Sequence, residues 1–334
     1  MVSFALLIIS IYGLSLYASF HNKVYQPFDN EASQKLKGVS CLLIICYHLN
    51  FHVATPLVSF ASNWGAPVVS LFLFISGYGL MASYLKKGPT YLNGFLNKRL
   101  WKIIKPLLLV TLVYQMAIYL DQGIFNTELL FDLINKGITP LPFSWFAYSI
   151  IIFYIFFFFA FRWKNSSLGS KILLMIIFSI MYMIILFRSE YERAWWVSSL
   201  AFPSGLIYRL REKEIIAVTH KTLYHFMLAP LACIFIYSLV QTKIELLFPI
   251  VYFIIPALIV NLLSFLNWKN DKIFTYLGKI SYEVYLLHGF WIYLLRGKHI
   301  FIASDYLYIL TIFSFTFIGA VFLHRLLNPP SNKL

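Results

Sequence analysis

The feature that most constrains this chain is its division into apolar runs about 20 residues long, the length that carries an α-helix across the hydrocarbon core of a bilayer. Eleven such windows follow one another, near residues 4–20, 38–53, 64–85, 104–120, 143–161, 172–187, 194–208, 223–240, 246–266, 280–295 and 304–324. Charged residues or Pro, Gly and Asn punctuate them. A water-soluble core of 334 residues has no use for a composition that is 60% hydrophobic and 12% charged, with a mean hydropathy of +0.76. The expected fold is therefore all-α: one polytopic transmembrane helical bundle over 1–334, with about 11 spans and loops too short to hold a soluble domain. The first run, FALLIISIYGLSLYASF, has no basic segment before it and no small-residue cleavage site after it, and reads as a retained helix rather than a secretory leader.

Eleven spans make the loops alternate between two sides, so the basic residues can be counted by side. Residues 21–37, 86–105, 162–171, 209–222, 267–279 and the tail from Arg325 hold 21 of the 27 Lys and Arg. The positive-inside rule then places the N-terminus outside and the C-terminus in the cytoplasm. The same asymmetry accounts for the net charge of +14 with membrane lipids as the partner and no nucleic acid. Trp101, Trp145, Trp163, Trp195, Trp196 and Trp268 cluster at span ends and read as interfacial anchors. Cys41, Cys46 and Cys233 fall inside apolar windows, where a reduced thiol behaves as a small hydrophobe, and suggest neither a disulfide framework nor a metal site. The FFFF at 156–159 reads as lipid-facing bulk. No repeat of 20 to 50 residues is visible.

Against this background the stretch LKGVSCLLIICYHLNFHV, residues 36–53, sets a histidine in an apolar run. His48 lies eleven residues past Lys37, about 16 Å along a helix and close to the expected midplane. An imidazole there is costly, is expected to be uncharged, and belongs in the bundle interior or a water-filled cavity. Position alone leaves two readings open: a functional base, or a hydrogen-bonded packing histidine that ties helices together. His288 repeats the pattern about 12 Å into its own window. Glu283, at the first turn of that window, is either the partner of a basic group or a carboxylate favoured by the helix dipole. His52 is placed at an interface; His220, His225, His299 and His324 receive no role.

The densest charge cluster is FLNKRLWKIIKP, residues 95–106. Arg99, Lys102 and Lys105 repeat every third residue and, with Lys98, form a basic stripe on a helix approaching the membrane. Either anionic headgroups anchor it, or it holds a phosphorylated ligand. Pro106 is expected to stop the stripe and bend the chain.

Several of these motifs together resemble the membrane-bound acyltransferase type 3 family. LKGVSCLLIICYHL resembles its opening motif, a basic residue eleven positions before a histidine; here the pair is Lys37 and His48, with lysine where the family more often has arginine. SLFLFISGYGL (70–80) looks like its second-helix signature, FLNKRLWKIIKP like the basic segment after it, LAFPSGLIYRLREK (200–213) like its Pro/Gly helix, and LGKISYEVYLLHGF (277–290) like its penultimate helix. The matches run in order over residues 36–325, with residues 1–35 as an extra helix and linker. WFAYSIIIFY (145–154) lacks the acidic residues often found there, so no acidic role is carried over to it.

The resemblance implies transfer of an acyl group, usually acetyl from cytosolic acetyl-CoA, to a hydroxyl of a carbohydrate or lipid-linked sugar, in a bacterial plasma membrane. On that reading His48 is the general base, or else the nucleophile of an acetyl-histidine intermediate. Lys37, Lys98, Arg99 and Lys102 meet the phosphates of CoA. Ser76 and Tyr78 line the cavity or polarise the carbonyl, unless small residues at a helix interface explain Ser76 and Gly77. His288 positions donor or acceptor, supported by Glu283. The competing reading is a transporter or flippase of a lipid-linked sugar that uses the buried histidines as a proton relay. A membrane glycosyltransferase fits less well, since no outer loop exceeds about two dozen residues.

Overall fold

The computed structural model describes residues 28–123, 128–219, 221, 227–263 and 271–329, together with 9–10, 12–13 and 16–17. The first expected span, residues 4–20, therefore lies largely outside the described residues, as does Trp268. Among the described residues the chain is helical, with one isolated antiparallel bridge between Arg296 and Phe301. The helices are α1 (Asn30–Leu49), α2 (Gly65–Lys87), α3 (Phe95–Gln122), α4 (Leu129–Lys136), α5 (Trp145–Arg162), α6 (Leu168–Arg188), α7 (Ala201–Leu210), α8 (Glu212–Thr219), α9 (Ala229–Gln241), α10 (Phe248–Leu263), α11 (Lys272–Lys279), α12 (Ser281–Leu294) and α13 (Asp305–Leu327).

Six helical segments among the described residues are long and apolar enough to cross a bilayer: Gly65–Leu92, Phe95–Gln122, Trp145–Arg162, Leu168–Arg188, Glu245–Leu263 and Asp305–Leu327. The windows at 38–53, 194–208, 223–240 and 280–295 fall on shorter or more polar helices. That at 194–208 is broken into a helical turn, Arg193–Trp196, and α7, with four residues between them. Exposed apolar side chains such as Leu173, Ile177, Met181 and Ile184 on α6 form an i, i+4 outward stripe that suits lipid. The chain is a multi-pass membrane protein.

Local chemistry sets the helix bounds more than hydropathy does. Asp29 caps α1 by accepting from the Ala32 N–H at 2.8 Å, and Glu31 pairs with Lys35 one turn on at 2.7 Å. The helix therefore starts seven residues before Lys37, and His48 falls in its last turn rather than mid-helix. α3 runs unbroken through Pro106, where the sequence predicts a bend; the missing N–H leaves the Lys102 carbonyl without its helical partner, and the helix absorbs this. Gly123, at φ +71, ends it.

Two crossings fix the helices that carry the site. A Cβ on Gly77 of α2 would stand 2.2 Å from the Phe202 carbonyl oxygen, and one on Gly205 of α7 would stand 2.0 Å from that of Phe74. The same reciprocity holds between α1 and α11, where a Cβ on Gly38 would stand 2.3 Å from Phe274 O and one on Gly278 would stand 1.8 Å from Gln34 O. Backbones approach this closely only where neither side carries a Cβ. Gly77 is thus an interface residue.

The aromatic core differs from expectation in two places. Phe157, inside the FFFF run, is fully buried and stacks on Phe161 at 4.1 Å, while Phe159 is exposed: adjacent helical positions lie about 100° apart, so one run reaches both core and lipid. Trp195 and Trp196 are buried rather than interfacial, because the broken 194–208 segment turns them inward; Trp101 and Trp163 remain exposed. The three cysteines are free, with Cys41 and Cys233 buried.

Candidate functional site

A cavity of about 540 Å³ opens at one end of the bundle between α1, α2, α3, α5 and α12. Its mouth is polar and cationic, with Asn30, Gln34 and Lys37 from α1, Ser83 from α2, and Arg99 and Lys102 from α3. Arg99 is aimed by Tyr91, whose hydroxyl accepts from its guanidinium at 2.6 Å and whose ring lies 5.7 Å beneath it. Deeper, Ser76 faces Tyr154, Tyr282 and Tyr285, and the floor is closed by Ile44, Phe72 and Phe146. Of the basic stripe only Arg99 and Lys102 line the cavity; Lys98 and Lys105 are exposed off its edge.

Just past the floor sit the two histidines. Ile44 is one helical turn before His48, so the imidazole lies a single side-chain layer, about 6 Å, beyond the cavity. Both rings are buried, with centroids 5.1 Å apart. The His288 Nδ1 lies 2.6 Å from the Tyr285 carbonyl oxygen. A carbonyl only accepts, so this nitrogen carries the hydrogen, and in the neutral ring Nε2 keeps a free lone pair. That Nε2, like the Nδ1 of His48, is buried with no hydrogen-bond partner. Lying on neighbouring imidazoles, these two nitrogens can bond one polar guest between them.

A lid of one aromatic ring lies over the pair. Phe143 stacks on His48 at 3.8 Å with 26° between planes, and near-parallel to His288 at 5.7 Å. Its backbone is left-handed, at φ +61, a conformation that stores roughly 1–3 kcal/mol in a residue bearing a Cβ. Tyr285 holds it there: its hydroxyl donates to the Phe143 carbonyl and accepts the Phe146 N–H at 3.1 Å. Tyr285 thus lines the cavity on one side, supplies the carbonyl that fixes the His288 tautomer, and anchors the lid.

Lys37, Ser76, Arg99 and Lys102 converge on the cavity, with His48 and His288 together behind its floor. Tyr78 stands apart. It lies two residues from Ser76, and such positions take roughly opposite faces of a helix, so only one of them can line the cavity. Its hydroxyl bonds both carboxylate oxygens of Glu212, at 3.0 and 3.1 Å, and Glu212 also pairs with Arg209 at 2.8 Å. Glu283 is likewise off the cavity. Its basic partner is His324 of α13, whose Nδ1 lies 2.7 Å from the carboxylate, so the contact joins α12 to α13.

Sequence reasoning passed over Phe143, Tyr285 and His324. The first two had faint signals: two prolines, Pro140 and Pro142, lead into Phe143, and Tyr285 sits one turn before His288. His324 had none, being one of several histidines at a helix end.

No curated protein and no solved structure matches the chain. A family model described as an acyltransferase domain does, over residues 34–325, a stretch that includes Lys37, His48, Arg99, Lys102 and His288 as well as the cavity floor. The chain belongs to the acyltransferase type 3 family.

Proposed function

We propose that the protein moves an acetyl group from cytosolic acetyl-CoA to a hydroxyl of a cell-surface glycan or lipid-linked sugar, with His48 as general base. The observation that carries this reading is the line from a cationic mouth, past the aromatic lining of the cavity, to a buried imidazole pair one side-chain layer beyond. CoA is polyanionic at one end and thin and weakly polar at the other. Lys37, Arg99 and Lys102 suit its phosphates, Arg99 as a pre-aimed fork. The arm then runs along Tyr154 and Tyr282, with the thioester against Tyr285. The excess of Lys and Arg in alternate loops favours a cytoplasmic mouth with the N-terminus outside, and the family resemblance favours a bacterial plasma membrane.

A sugar hydroxyl is a weak nucleophile near neutral pH and gains from a base aligned with its proton. In the transfer its oxygen bonds to the thioester carbonyl carbon, the C–S bond breaks, and the hydroxyl proton passes to the imidazole. The CoA sulfur leaves as thiolate and takes a proton in turn, so the ring is restored. His288, whose Nε2 is fixed as an acceptor, takes a hydrogen bond from a neighbouring hydroxyl of the sugar or steadies the protonated His48, whose ring lies 5.1 Å away.

Acetyl-CoA turnover and binding by purified protein test the assignment. His48→Ala should keep acetyl-CoA affinity and lose turnover by a factor of about 10² or more, the usual scale for a removed general base. Arg99→Ala should weaken affinity and leave the turnover number of the saturated enzyme close to wild type. Unchanged turnover in both variants would end the proposal.

A further inference from the structure

A second cavity, of about 260 Å³, lies at the opposite end of α3. It is lined by Tyr114, Gln115 and Gln122 of α3, Asp132 of α4, and Thr139 and Pro142 of the segment that leads into α5. Gln115 is some 13 residues from Lys102, so the two cavities are separated by about 20 Å of helix, with the histidines between. The wall toward the histidines is one residue thick. Pro142 faces the cleft, and Phe143 lies on His48. The wall is also set hard against His288: a Cβ on Gly289 would meet the Pro142 carbonyl oxygen at 2.5 Å.

The two cavities are chemical opposites. The inner one carries Lys37, Arg99 and Lys102; among the described residues lining the outer one there is no cation, and its carboxylate, Asp132, is paired with Lys136 at 2.8 Å. That lining offers a CoA phosphate no cationic fork. Amides, a hydroxyl and a carboxylate offer paired donors and acceptors, and Tyr114 adds an aromatic ring, a set that suits the hydroxyls and C–H faces of a sugar. Gln115 and Thr139 also brace the wall, donating to the carbonyls of Pro140 at 2.6 Å and Leu141 at 2.7 Å. The unpartnered Nδ1 of His48 and Nε2 of His288 belong to the two rings against which Phe143 lies.

We propose that this outer cleft is the subsite for the sugar of the acceptor, and that Phe143 is the partition its reacting hydroxyl passes to reach His48. This rests on the acyl-transfer reading above and adds to it an uncharged carbohydrate as the acceptor class, entering from the extracytoplasmic end.

Gln122→Cys and Thr139→Cys variants of the full chain, in right-side-out vesicles from the cells that carry it, provide the test. Ser62→Cys, exposed at the same end but outside the cleft, is the control. The vesicles are loaded with radiolabelled acetyl-CoA, treated outside with a bulky membrane-impermeant maleimide, and assayed for alkali-labile acetate in the envelope glycan. Treatment should lower transfer by about tenfold or more at either cleft cysteine, equivalent to 1.4 kcal/mol or more, with acetyl-CoA affinity held within about twofold and the Ser62→Cys rate unchanged. Transfer at the untreated rate after complete labelling, or cysteines that react only once the vesicles are lysed, would overturn the cleft assignment alone. Absence of any acetyl transfer by untreated enzyme would instead defeat the acyl-transfer reading, and the cleft with it.

Discussion

The two sides of the histidine pair are held by opposite means. Toward the cationic mouth, α1 and α2 are clamped backbone to backbone against α11 and α7 by Gly38, Gly278, Gly77 and Gly205, with no side chain between to rotate. Toward the outer cleft, the 137–144 segment meets one glycine, Gly289 against the Pro142 carbonyl, and otherwise hangs on side-chain-to-carbonyl bonds from Gln115, Trp195 and Tyr285, and it carries Phe143 in a left-handed conformation. A glycine crossing has one arrangement, because any shift opens a gap or makes a clash. A strained residue held by hydrogen bonds has a second arrangement within a few kcal/mol. Under the proposed function, rigidity falls to the end that would position a large, polyanionic donor, and compliance to the end that a hydroxyl would approach.

The sharpest way to break the comparison is at a glycine. Gly77→Ala puts a methyl 2.2 Å from a backbone oxygen that cannot rotate away, so α2 and α7 must separate. The expected cost is about 3 kcal/mol, at the upper end of overpacking penalties, and it should appear as poor recovery of monodisperse protein and a lower unfolding temperature. Normal stability in Gly77→Ala would mean that the crossing yields after all. A smaller effect is expected at Tyr285→Phe, which deletes one hydroxyl and strips the Phe143 carbonyl and Phe146 N–H of a shared partner. Leaving such groups unpaired costs about 1–3 kcal/mol. The informative readout is location: hydrogen exchange should quicken at Phe146 and its neighbours while the α1 and α2 amides stay protected. Uniform quickening would erase the proposed contrast between the two ends.

Much of this frame was legible in the sequence, because lipid-spanning helices announce themselves by composition and the basic stripe by spacing. His48 and His288 were legible for the same reason, as expensive residues in apolar runs. Helix bounds were not, since a single carboxylate at Asp29 moves the start of α1 back by two turns, which no hydropathy window registers. The direction of Tyr78 was recoverable from helical geometry, given that Ser76 lines the cavity. The lid was harder. Phe143 matters through its φ angle and through Tyr285, 142 residues away, and neither leaves a mark in the local pattern. Pairing of Glu283 with His324 likewise depends on how α12 meets α13, which the chain states nowhere in one place.

The smallest expected effect sharpens the donor end. Lys98 and Lys102 are one turn apart on the same basic stripe, both exposed, yet only Lys102 reaches the cavity mouth. If the stripe only anchors the protein to anionic lipid, the two are interchangeable, because a headgroup potential acts on every nearby cation alike. If the mouth binds phosphate, position decides. Lys102→Ala should then weaken acetyl-CoA binding by about fivefold, near 1 kcal/mol for one lost charge-assisted contact at a solvated rim, while Lys98→Ala stays within about twofold of wild type. Binding isotherms on purified protein in a neutral detergent remove the lipid contribution. Equal losses at both positions there would show that the stripe works as a diffuse field rather than as the edge of a site, and the line from mouth to imidazole would need another entrance.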